Sequence, residues 1–172
     1  MQSGAAPEVA VMPADVADLK AALGRFCTGI VVITGRAGDQ LVGFTAQSFV
    51  SVSLQPPLVS FCPDKASESW PRLRDAAHFC VNVLDHAQQD LCFRFAKKGV
   101  ERFAGINTGA GTHGGPIIGG ALAWFECAVE AEHDAGDHTI VVGRVLSFGS
   151  CEASDAEPLL FYQRRPGRFR DL

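Results

Sequence analysis

The sequence lacks a hydrophobic run long enough to cross a membrane, because its longest apolar stretches, at residues 29–34 and 139–142, fall far below the roughly 20 residues of a spanning helix. Its amino terminus has neither the positive start nor the apolar centre of a secretory signal. No Lys/Arg run exceeds a pair, and the formal net charge is −4. These absences predict a cytoplasmic protein that spans no membrane and binds no nucleic acid, since phosphate backbones attract dense positive charge.

Several catalytic and metal-binding motifs are missing as well. None of the six cysteines forms a CxxC pair, so we predict free, buried thiols and no disulfide framework. No GxSxG or HExxH segment is present, and His133 and His138 have no further metal ligand at a recognised spacing. Residues 109–114 (GAGTHG) match GxGxxG, but no predicted strand enters this segment and no predicted helix leaves it. We therefore expect a flexible loop there and no dinucleotide site.

The elements that are present predict a mostly β (α+β) domain. The length of 172 residues favours one domain, at residues 15–172, after a flexible arm at residues 1–14. About seven short strands, several joined by tight turns such as Gly38-Asp39, indicate an antiparallel barrel with peripheral helices. A Gly-rich loop is expected at residues 105–120. Helices are expected at residues 15–27, 67–77 and 86–98.

The first predicted helix has clear local signals. Asp15 precedes it as an N-cap. Its apolar residues recur at helical spacing and therefore share one face, which we expect to be buried; they are Val16, Leu19, Ala22, Leu23 and Phe26.

Three polar segments are candidates for binding. Residues 43–53 (GFTAQSFVSVS) place hydroxyl and amide groups beside aromatic rings, a mixture that suits a flavin ring with its polar edge. An amphipathic strand with Ser and Thr facing solvent explains this composition equally well. Residues 136–138 (GDH) form a turn at which His138 could donate a hydrogen bond to a carboxamide or phosphate. The alternative there is an exposed turn residue.

The third segment, residues 62–71, leads into the second predicted helix. Ser69 is the expected N-cap, with Pro71 in the first turn. The free N–H groups of a helix start, together with Lys65 and the hydroxyls of Ser67 and Ser69, could hold a phosphate. Simple helix capping remains the alternative.

Taken together, these segments resemble the flavin reductase family with the FMN-binding split-barrel fold, which includes the small reductase components of two-component flavin monooxygenases. Each stretch is short, and the resemblance depends on their combination in family order between residues 16 and 163. The matching stretches are residues 24–29 (GRFCTG) leading into 31–34, 43–49 (GFTAQSF), 51–59 (SVSLQPPLV), 79–84 (FCVNVL), 103–105 (FAG), 136–138 (GDH) and 143–145 (GRV).

The resemblance implies an oxidoreductase that passes a hydride from NADH or NADPH to FMN or FAD. The reduced flavin would supply a partner flavin-dependent oxygenase of aromatic or steroid-derived substrates. The resemblance also implies a homodimer with the flavin near the subunit interface. A non-enzymatic flavin carrier or redox sensor of the same fold is the alternative. An oxidase of pyridoxamine-like substrates shares the barrel, but it would need basic residues grouped around a substrate phosphate, and the sequence shows no such group.

The same resemblance assigns the cofactor-binding residues. It implies that the flavin ring is contacted by Gly43, Phe44, Thr45, Gln47 and Ser48. It implies that the ribityl chain and phosphate are contacted by Cys62, Pro63, Asp64, Lys65, Glu68 and Ser69. It implies that Asp137 and His138 bind the nicotinamide, with His138 as the catalytic residue. The implied cofactor-binding residues also include Ala46, Ser53 and Tyr162. The tail at residues 164–169 is unusually basic, and Phe169 stands where such proteins often carry tyrosine, so its part in nicotinamide binding is left open.

Overall fold

Strands dominate the computed structural model, which describes residues 15–151 and 156–169; the arm predicted at residues 1–14 lies outside the described residues. The helices are α1 (Val16–Leu23), α2 (Trp70–Arg74) and α3 (Gln89–Ala96), and a 3₁₀ turn at His86–Gln88 precedes α3. The strands are β1 (Thr28–Gly29), β2 (Val31–Ala37), β3 (Gln40–Ala46), β4 (Val50–Leu54), β5 (Pro57–Phe61), β6 (Phe79–Val83), β7 (Thr108–Ala110), β8 (Pro116–Ile118), β9 (Ala123–Ala135), β10 (His138–Ser150), β11 (Leu159–Tyr162) and β12 (Arg165–Arg168). The predicted mostly β fold with peripheral helices is confirmed.

The main sheet has seven antiparallel strands in the order β3-β2-β6-β9-β10-β5-β4. A flat sheet of this size would hold its two edge strands about 29 Å apart. Yet β3 and β4 are joined only by residues 47–49, a connection that reaches about 14 Å at most. The sheet must therefore curl until its edges approach each other, which makes a barrel split between β3 and β4.

Tight turns connect the strands where the sequence predicts them. Gly38 and Gly136 each begin a two-residue hairpin loop and have positive φ angles of 61° and 65°. Hairpins favour glycine at this position because its missing Cβ removes the steric penalty. The second of these turns joins β9 to β10 and thereby places His138 at the first residue of β10.

Two apolar clusters lie on opposite faces of β2. Val31 and Ile33 belong to the cluster around Phe61, whereas Ile30, directly before β2, and Val32 belong to the cluster around Phe95. Because successive residues of a strand point to opposite faces, both faces of β2 are buried. This explains the continuous apolar run in the sequence at this point.

The GxGxxG segment begins in strand β7 and continues into the loop of the β7–β8 hairpin, so the expected loop is shorter than predicted. Glu126 on β9 is fully buried, and its carboxylate accepts hydrogen bonds from His113 N–H at 3.0 Å, Gly115 N–H at 2.9 Å and the Ser147 hydroxyl at 2.6 Å. A Cβ on Gly111 would overlap this carboxylate. The glycines therefore let the backbone approach a buried anion that the chain itself provides.

Hydrogen bonding decides the charge state of Glu126. Burial alone raises the pKa of this carboxyl, but the bonds from Ser147, His113 and Gly115 outweigh burial and hold the pKa below its ordinary value. Burial, and secondarily the Glu126 charge, raises the pKa of both the Cys80 and Cys127 thiols to about 12. These two cysteines are therefore protonated core residues.

The predicted burial of the cysteines is correct for only part of the set. All six thiols are free; Cys80, Cys92 and Cys127 are buried and Cys62 is half-buried, but Cys27 and Cys151 are exposed. These two lie beyond the ends of α1 and β10, where the chain leaves the core.

The helices differ most from the prediction. Asp15 caps α1 as expected, but the helix ends at Leu23 and buries none of its residues; Val16 is 63% exposed and Leu23 is 64% exposed. Helix α2 has only five residues instead of the predicted stretch at residues 67–77. Strand β12 was not predicted, and it pairs with β11 outside the barrel sheet. No helix among the described residues has the length and apolar character to cross a bilayer.

Candidate functional site

A cavity of about 600 Å³ opens at the split of the barrel. Its walls come from the end of β3, the connection to β4, the segment between β5 and α2, helix α3 and the start of β10. This volume is within the range of ligand and cofactor sites. The lining residues are Phe44, Thr45, Ala46, Gln47, Ser48, Cys62, Pro63, Asp64, Ala66, Ser67, Glu68, Ser69, Cys92, Phe93, Phe95, Ala96, Lys98, Arg102, His138 and Phe161.

One wall is apolar because α3 packs an aromatic face onto β3. Phe95 lies against Gly43, where a Cβ would come within 2.8 Å of the phenyl ring. The Thr45 hydroxyl donates to the Cys92 carbonyl at 2.7 Å and so ties β3 to α3. Burial raises the pKa of the Cys92 thiol, which keeps it protonated and uncharged. This wall presents an aromatic, largely uncharged surface to a planar ring.

Another part of the wall crosses the split itself. Cys62 N–H donates to the Ser48 hydroxyl oxygen at 2.8 Å, which joins the β3–β4 connection to the end of β5. Gln47 beside it is exposed, and its side-chain amide bonds to no group in the part of the chain that the structure describes. Gln47 is therefore free to meet the polar edge of a ligand, whereas Ser48 holds the wall together.

The end of the cavity near α2 is cationic. Arg102 Nη1 donates to the Ser69 hydroxyl at 2.6 Å and to the Gly43 carbonyl at 2.8 Å. Its Nε and Nη2 both donate to the Lys97 carbonyl, which leaves one of the five guanidinium N–H groups without an acceptor among the described residues. Lys98 also lines this end, and its Nζ donates to the Ala66 carbonyl at 3.2 Å.

The predicted helix-start site is corrected by this geometry. Ser69 is the N-cap residue of α2 as predicted, but the side-chain bonds come from Ser67, whose hydroxyl oxygen accepts from the N–H groups of Ser69 and Trp70, each at 3.3 Å. The Trp70 N–H at the helix start is thus already engaged, Pro71 has no N–H, and the Ser69 side chain makes no capping bond. Lys65 forms an ion pair with Asp134 and does not line the cavity, so positive charge there comes from Lys98 and Arg102.

His138 is held at the cavity rim by its own turn. Its Nδ1 lies 2.7 Å from an Asp137 carboxylate oxygen. The pKa of Asp137 is lowered by that hydrogen bond, by the charge of His138 and by the charge of Lys20. Together these outweigh the desolvation of the carboxylate, which would raise the pKa. Because an ionised carboxylate can only accept, Nδ1 carries the proton and Nε2 is the free nitrogen when the ring is neutral. Thr139 N–H donates to the Pro63 carbonyl at 3.0 Å, which fixes this corner beside the cavity wall.

Most of the predicted site residues meet in one place. Those that line the cavity are Phe44, Thr45, Ala46, Gln47, Ser48, Cys62, Pro63, Asp64, Glu68, Ser69 and His138. Those outside its lining are Gly43, Ser53, Lys65, Asp137 and Tyr162. Gly43 is buried behind Phe95, and Ser53 lies on the edge strand β4.

Sequence reasoning missed the cationic end and much of the aromatic wall, namely Lys98, Arg102, Phe93, Phe95 and Phe161. One signal was available for Arg102, because it directly precedes the family-like stretch at residues 103–105. Phe93 and Phe95 carry no local signal of a site, since α3 has the pattern of an ordinary amphipathic helix, and Lys98 and Phe161 belong to no recognised motif.

The split barrel, the aromatic wall and the cationic end define a class of protein that binds a ring-containing, phosphorylated cofactor. A family model described as "Flavin reductase like domain" matches residues 23–170, and the chain belongs to this flavin reductase family. The resemblance inferred from the sequence motifs is therefore confirmed, as is the oxidoreductase class that it implied.

Named relatives cover most of the chain. The reductase subunit HsaB of a flavin-dependent monooxygenase from Mycobacterium tuberculosis is 47% identical over 149 residues, which cover 87% of this chain and 80% of HsaB. The FMN reductase (NADH) SmoA of Agrobacterium fabrum is 43% identical over 148 residues, or 86% of this chain and 83% of SmoA. The solved structure of the Streptomyces globisporus NADH:FAD oxidoreductase SgcE6 with NAD and FAD fragments has a TM-score of 0.86 and 36% identity, covering 95% of this chain and 98% of SgcE6.

Proposed function

We propose that this protein binds a flavin in the cavity at the barrel split, reduces it with a hydride from NADH or NADPH, and releases it to a partner oxygenase. The observation that carries the proposal is the combination, in one cavity of about 600 Å³, of an aromatic wall with an arginine and lysine end. Family membership and the NADH-dependent relatives support it.

The residues present fit a flavin mononucleotide unit. A ring against Phe93 and Phe161 would meet the free Gln47 amide at its polar edge, and a phosphate would meet Arg102 and Lys98. When bound, flavin and nicotinamide supply the hydride-transfer chemistry themselves. The protein has to align the two rings and exclude water, which requires no acid–base pair.

His138 is the residue that we assign to the nicotinamide. Asp137 accepts from Nδ1 and fixes the imidazole orientation, so Nε2 is directed by a hydrogen bond that the turn itself provides. Nε2 can then accept from the carboxamide N–H of a nicotinamide that lies over the flavin ring. Asp137 is a positioning residue, because it acts through His138 and does not line the cavity.

Steady-state kinetics with both nicotinamides crossed with both flavins test the proposal. We expect nicotinamide oxidation only when FMN or FAD is added, with saturation in both substrates. A carrier or redox sensor would bind flavin, measured by fluorescence titration, without turnover. A protein that binds neither flavin at micromolar concentration would overturn the proposal, because the hydride would then have no acceptor.

Delivery of reduced flavin to an oxygenase in the cytoplasm is part of the same proposal. HsaB is by name the reductase subunit of a flavin-dependent monooxygenase, which supports a similar partner for this chain. The six free thiols favour a reducing compartment. A coupled assay with a flavin-dependent oxygenase would show product formation that depends on this protein and on the nicotinamide; flavin oxidation without product would contradict the partnership.

A homodimer is the proposed assembly. Several large apolar side chains are exposed on the edge strand β4 and on β10; Val50, Val52, Leu54 and Phe148 are all more than half exposed. Apolar patches of this kind commonly mark protein interfaces. Light scattering after gel filtration should give twice the 18.3 kDa chain mass, and a monomer at micromolar concentration would contradict the assembly.

A further inference from the structure

Lys65 lies between the flavin cavity and the turn that carries His138. The two residues directly before it line the cavity, whereas Lys65 itself does not. Its backbone N–H donates to the Asp137 carbonyl at 2.9 Å, and its Nζ forms an ion pair with Asp134. The lysine therefore contacts both sides of the β9–β10 turn, because Asp134 belongs to β9 and Asp137 directly precedes β10.

The backbone around Lys65 forms a short antiparallel bridge with this turn. Asp64 and His138 are the paired residues. The bond from Thr139 N–H to the Pro63 carbonyl, at 3.0 Å, lies on one side of the pair, and the bond from Lys65 N–H lies on the other. The backbone that forms one wall of the flavin cavity therefore also sets the position of His138.

The turn depends on such links because the β9–β10 hairpin extends past its neighbouring strands. Among the described strands, β6 pairs with β9 only at residues 123–127, and β5 pairs with β10 only at residues 141–144. The outer part of the hairpin is therefore a two-stranded ribbon, which is marginally stable by itself. Trp70 Nε1 donates to the Glu132 carboxylate at 2.8 Å and holds β9 a few residues before the turn. Lys65 holds the turn itself.

We propose that Lys65 is a positioning residue for the reaction, which acts through the turn to hold His138 at the rim of the flavin cavity. The inference rests on the proposed function, since it needs His138 to contact the nicotinamide. It differs from the flavin-phosphate contact that the sequence resemblance implies for Lys65. The ammonium is engaged by Asp134 outside the cavity lining, whereas Arg102 lines the phosphate end.

Steady-state kinetics of two variants that neutralise the ion pair test this role. Lys65→Met removes the charge and keeps the backbone N–H, and Asp134→Asn removes the opposite charge. Both side chains are exposed, so solvent weakens the pair and the effect should be modest. We expect each variant to raise KM for NADH about threefold and to leave kcat and the Kd for FMN unchanged. The double variant should show the effect of one, because the two charges act as a pair.

Glu130→Gln is the matched control. Glu130 is another exposed acidic residue of β9, and it pairs with Arg144 at 2.7 Å away from the turn. Its KM for NADH should equal that of the wild type. His138→Ala provides the background in which positioning can be separated from direct contact. Because Lys65 acts through the imidazole, Lys65→Met should cause no further rise in KM for NADH once the imidazole is absent.

Three results would overturn the proposal. Equal KM values for NADH in wild type and Lys65→Met would show that the ion pair does not position His138. A threefold rise that persists in the His138→Ala background would place Lys65 against the nicotinamide cofactor itself. A higher Kd for FMN in Lys65→Met, with unchanged affinity for riboflavin, would assign the lysine to the flavin phosphate.

Amide hydrogen exchange separates this inference from the proposed function, because it needs no turnover. Thr139 N–H is bonded to the Pro63 carbonyl, so its exchange rate reports how often the turn leaves the cavity wall. We expect this amide to exchange about threefold faster in Lys65→Met and Asp134→Asn, and at the wild-type rate in Glu130→Gln. If wild type fails to oxidise NADH, the proposed function fails by itself. If wild type turns over but Lys65→Met leaves the exchange rate unchanged, only the positioning role of Lys65 is lost.

Discussion

Two polar regions of this chain differ in what satisfies their hydrogen-bonding groups. Around Glu126, inside the barrel, both carboxylate oxygens accept bonds from the chain itself. Along the cavity wall, the Gln47 amide and one Arg102 N–H bond to no described residue. A buried polar group without a partner costs free energy, so the chain closes the first region completely. The second region keeps its donors for a ligand.

The comparison predicts that substitutions in the two regions change different quantities. Changes around Glu126 should lower the free energy of unfolding and spare flavin affinity. Changes at the cavity should lower flavin affinity and leave the free energy of unfolding nearly unchanged. A single substitution that changed both quantities strongly would break the distinction.

Glu126→Gln should have the largest effect. The amide oxygen can still accept from the His113 and Gly115 N–H groups, but the anion is lost and the amide NH2 replaces the oxygen that accepts from Ser147, so we expect a loss of about 3 kcal/mol in the free energy of unfolding. Urea unfolding measures this loss. Glu130→Gln is the control on the same strand, since solvent screens its exposed pair with Arg144 and the pair should contribute little to stability. A loss no larger than that of the control would contradict the buried-anion account.

The stability difference between wild type and Glu126→Gln has a predictable pH dependence. Because the folded-state pKa of Glu126 lies below its unfolded value, the unfolded chain binds more protons as the pH falls through this range. The stabilisation is therefore complete above the unfolded pKa and is lost as the pH falls through the folded one. The stability difference between wild type and Glu126→Gln should shrink on acidification below about pH 4.5. A difference that grows in acid would have the wrong sign.

Arg102→Gln should have the next largest effect, on flavin affinity. Loss of the guanidinium removes the charge at the phosphate end, so we expect the Kd for FMN to rise roughly ten- to hundredfold. Riboflavin, which has no phosphate, should bind both proteins equally well. Fluorescence titration measures both ligands.

Arg94→Gln is the matched control for Arg102. Arg94 donates to the Ala104 carbonyl at 2.9 Å but lies outside the cavity lining, so its loss should leave FMN affinity unchanged. If Arg102→Gln weakened riboflavin as much as FMN, the arginine would support the wall and not contact phosphate.

Local patterns were sufficient for much of the fold. The β-branched run before and within β2 predicts a strand, and Gly38 and Gly136 mark their hairpins because the required φ is a property of the residue itself. The apolar face of α1 shows the limit of such patterns. Helical spacing identifies the face, but nothing local reveals that the barrel leaves it uncovered.

The candidate site was predictable wherever its residues are neighbours in sequence. Residues 44–48 and 62–64 reach the cavity together because each stretch is continuous. Arg102 comes from a distant loop, and its bonds to Ser69 and Gly43 join residues 33 and 59 positions apart. Ser69 is the N-cap residue as predicted, but sequence alone could not show that the Ser67 hydroxyl makes the bonds at the helix start.

His138→Ala should have the smallest effect of the three, and on only one substrate. The imidazole lies at the rim and contributes a single hydrogen bond, so we expect the apparent KM for NADH to rise a few-fold, about 1 kcal/mol, while flavin affinity is unchanged. His133→Ala is the control, since that histidine lies on the same hairpin outside the cavity lining and its loss should change neither constant. Asp137→Asn should reproduce part of the effect, because the amide no longer fixes Nδ1 as the donor. If His138→Ala weakened flavin and NADH equally, His138 would belong to the flavin wall, and the rim would have no assigned nicotinamide contact.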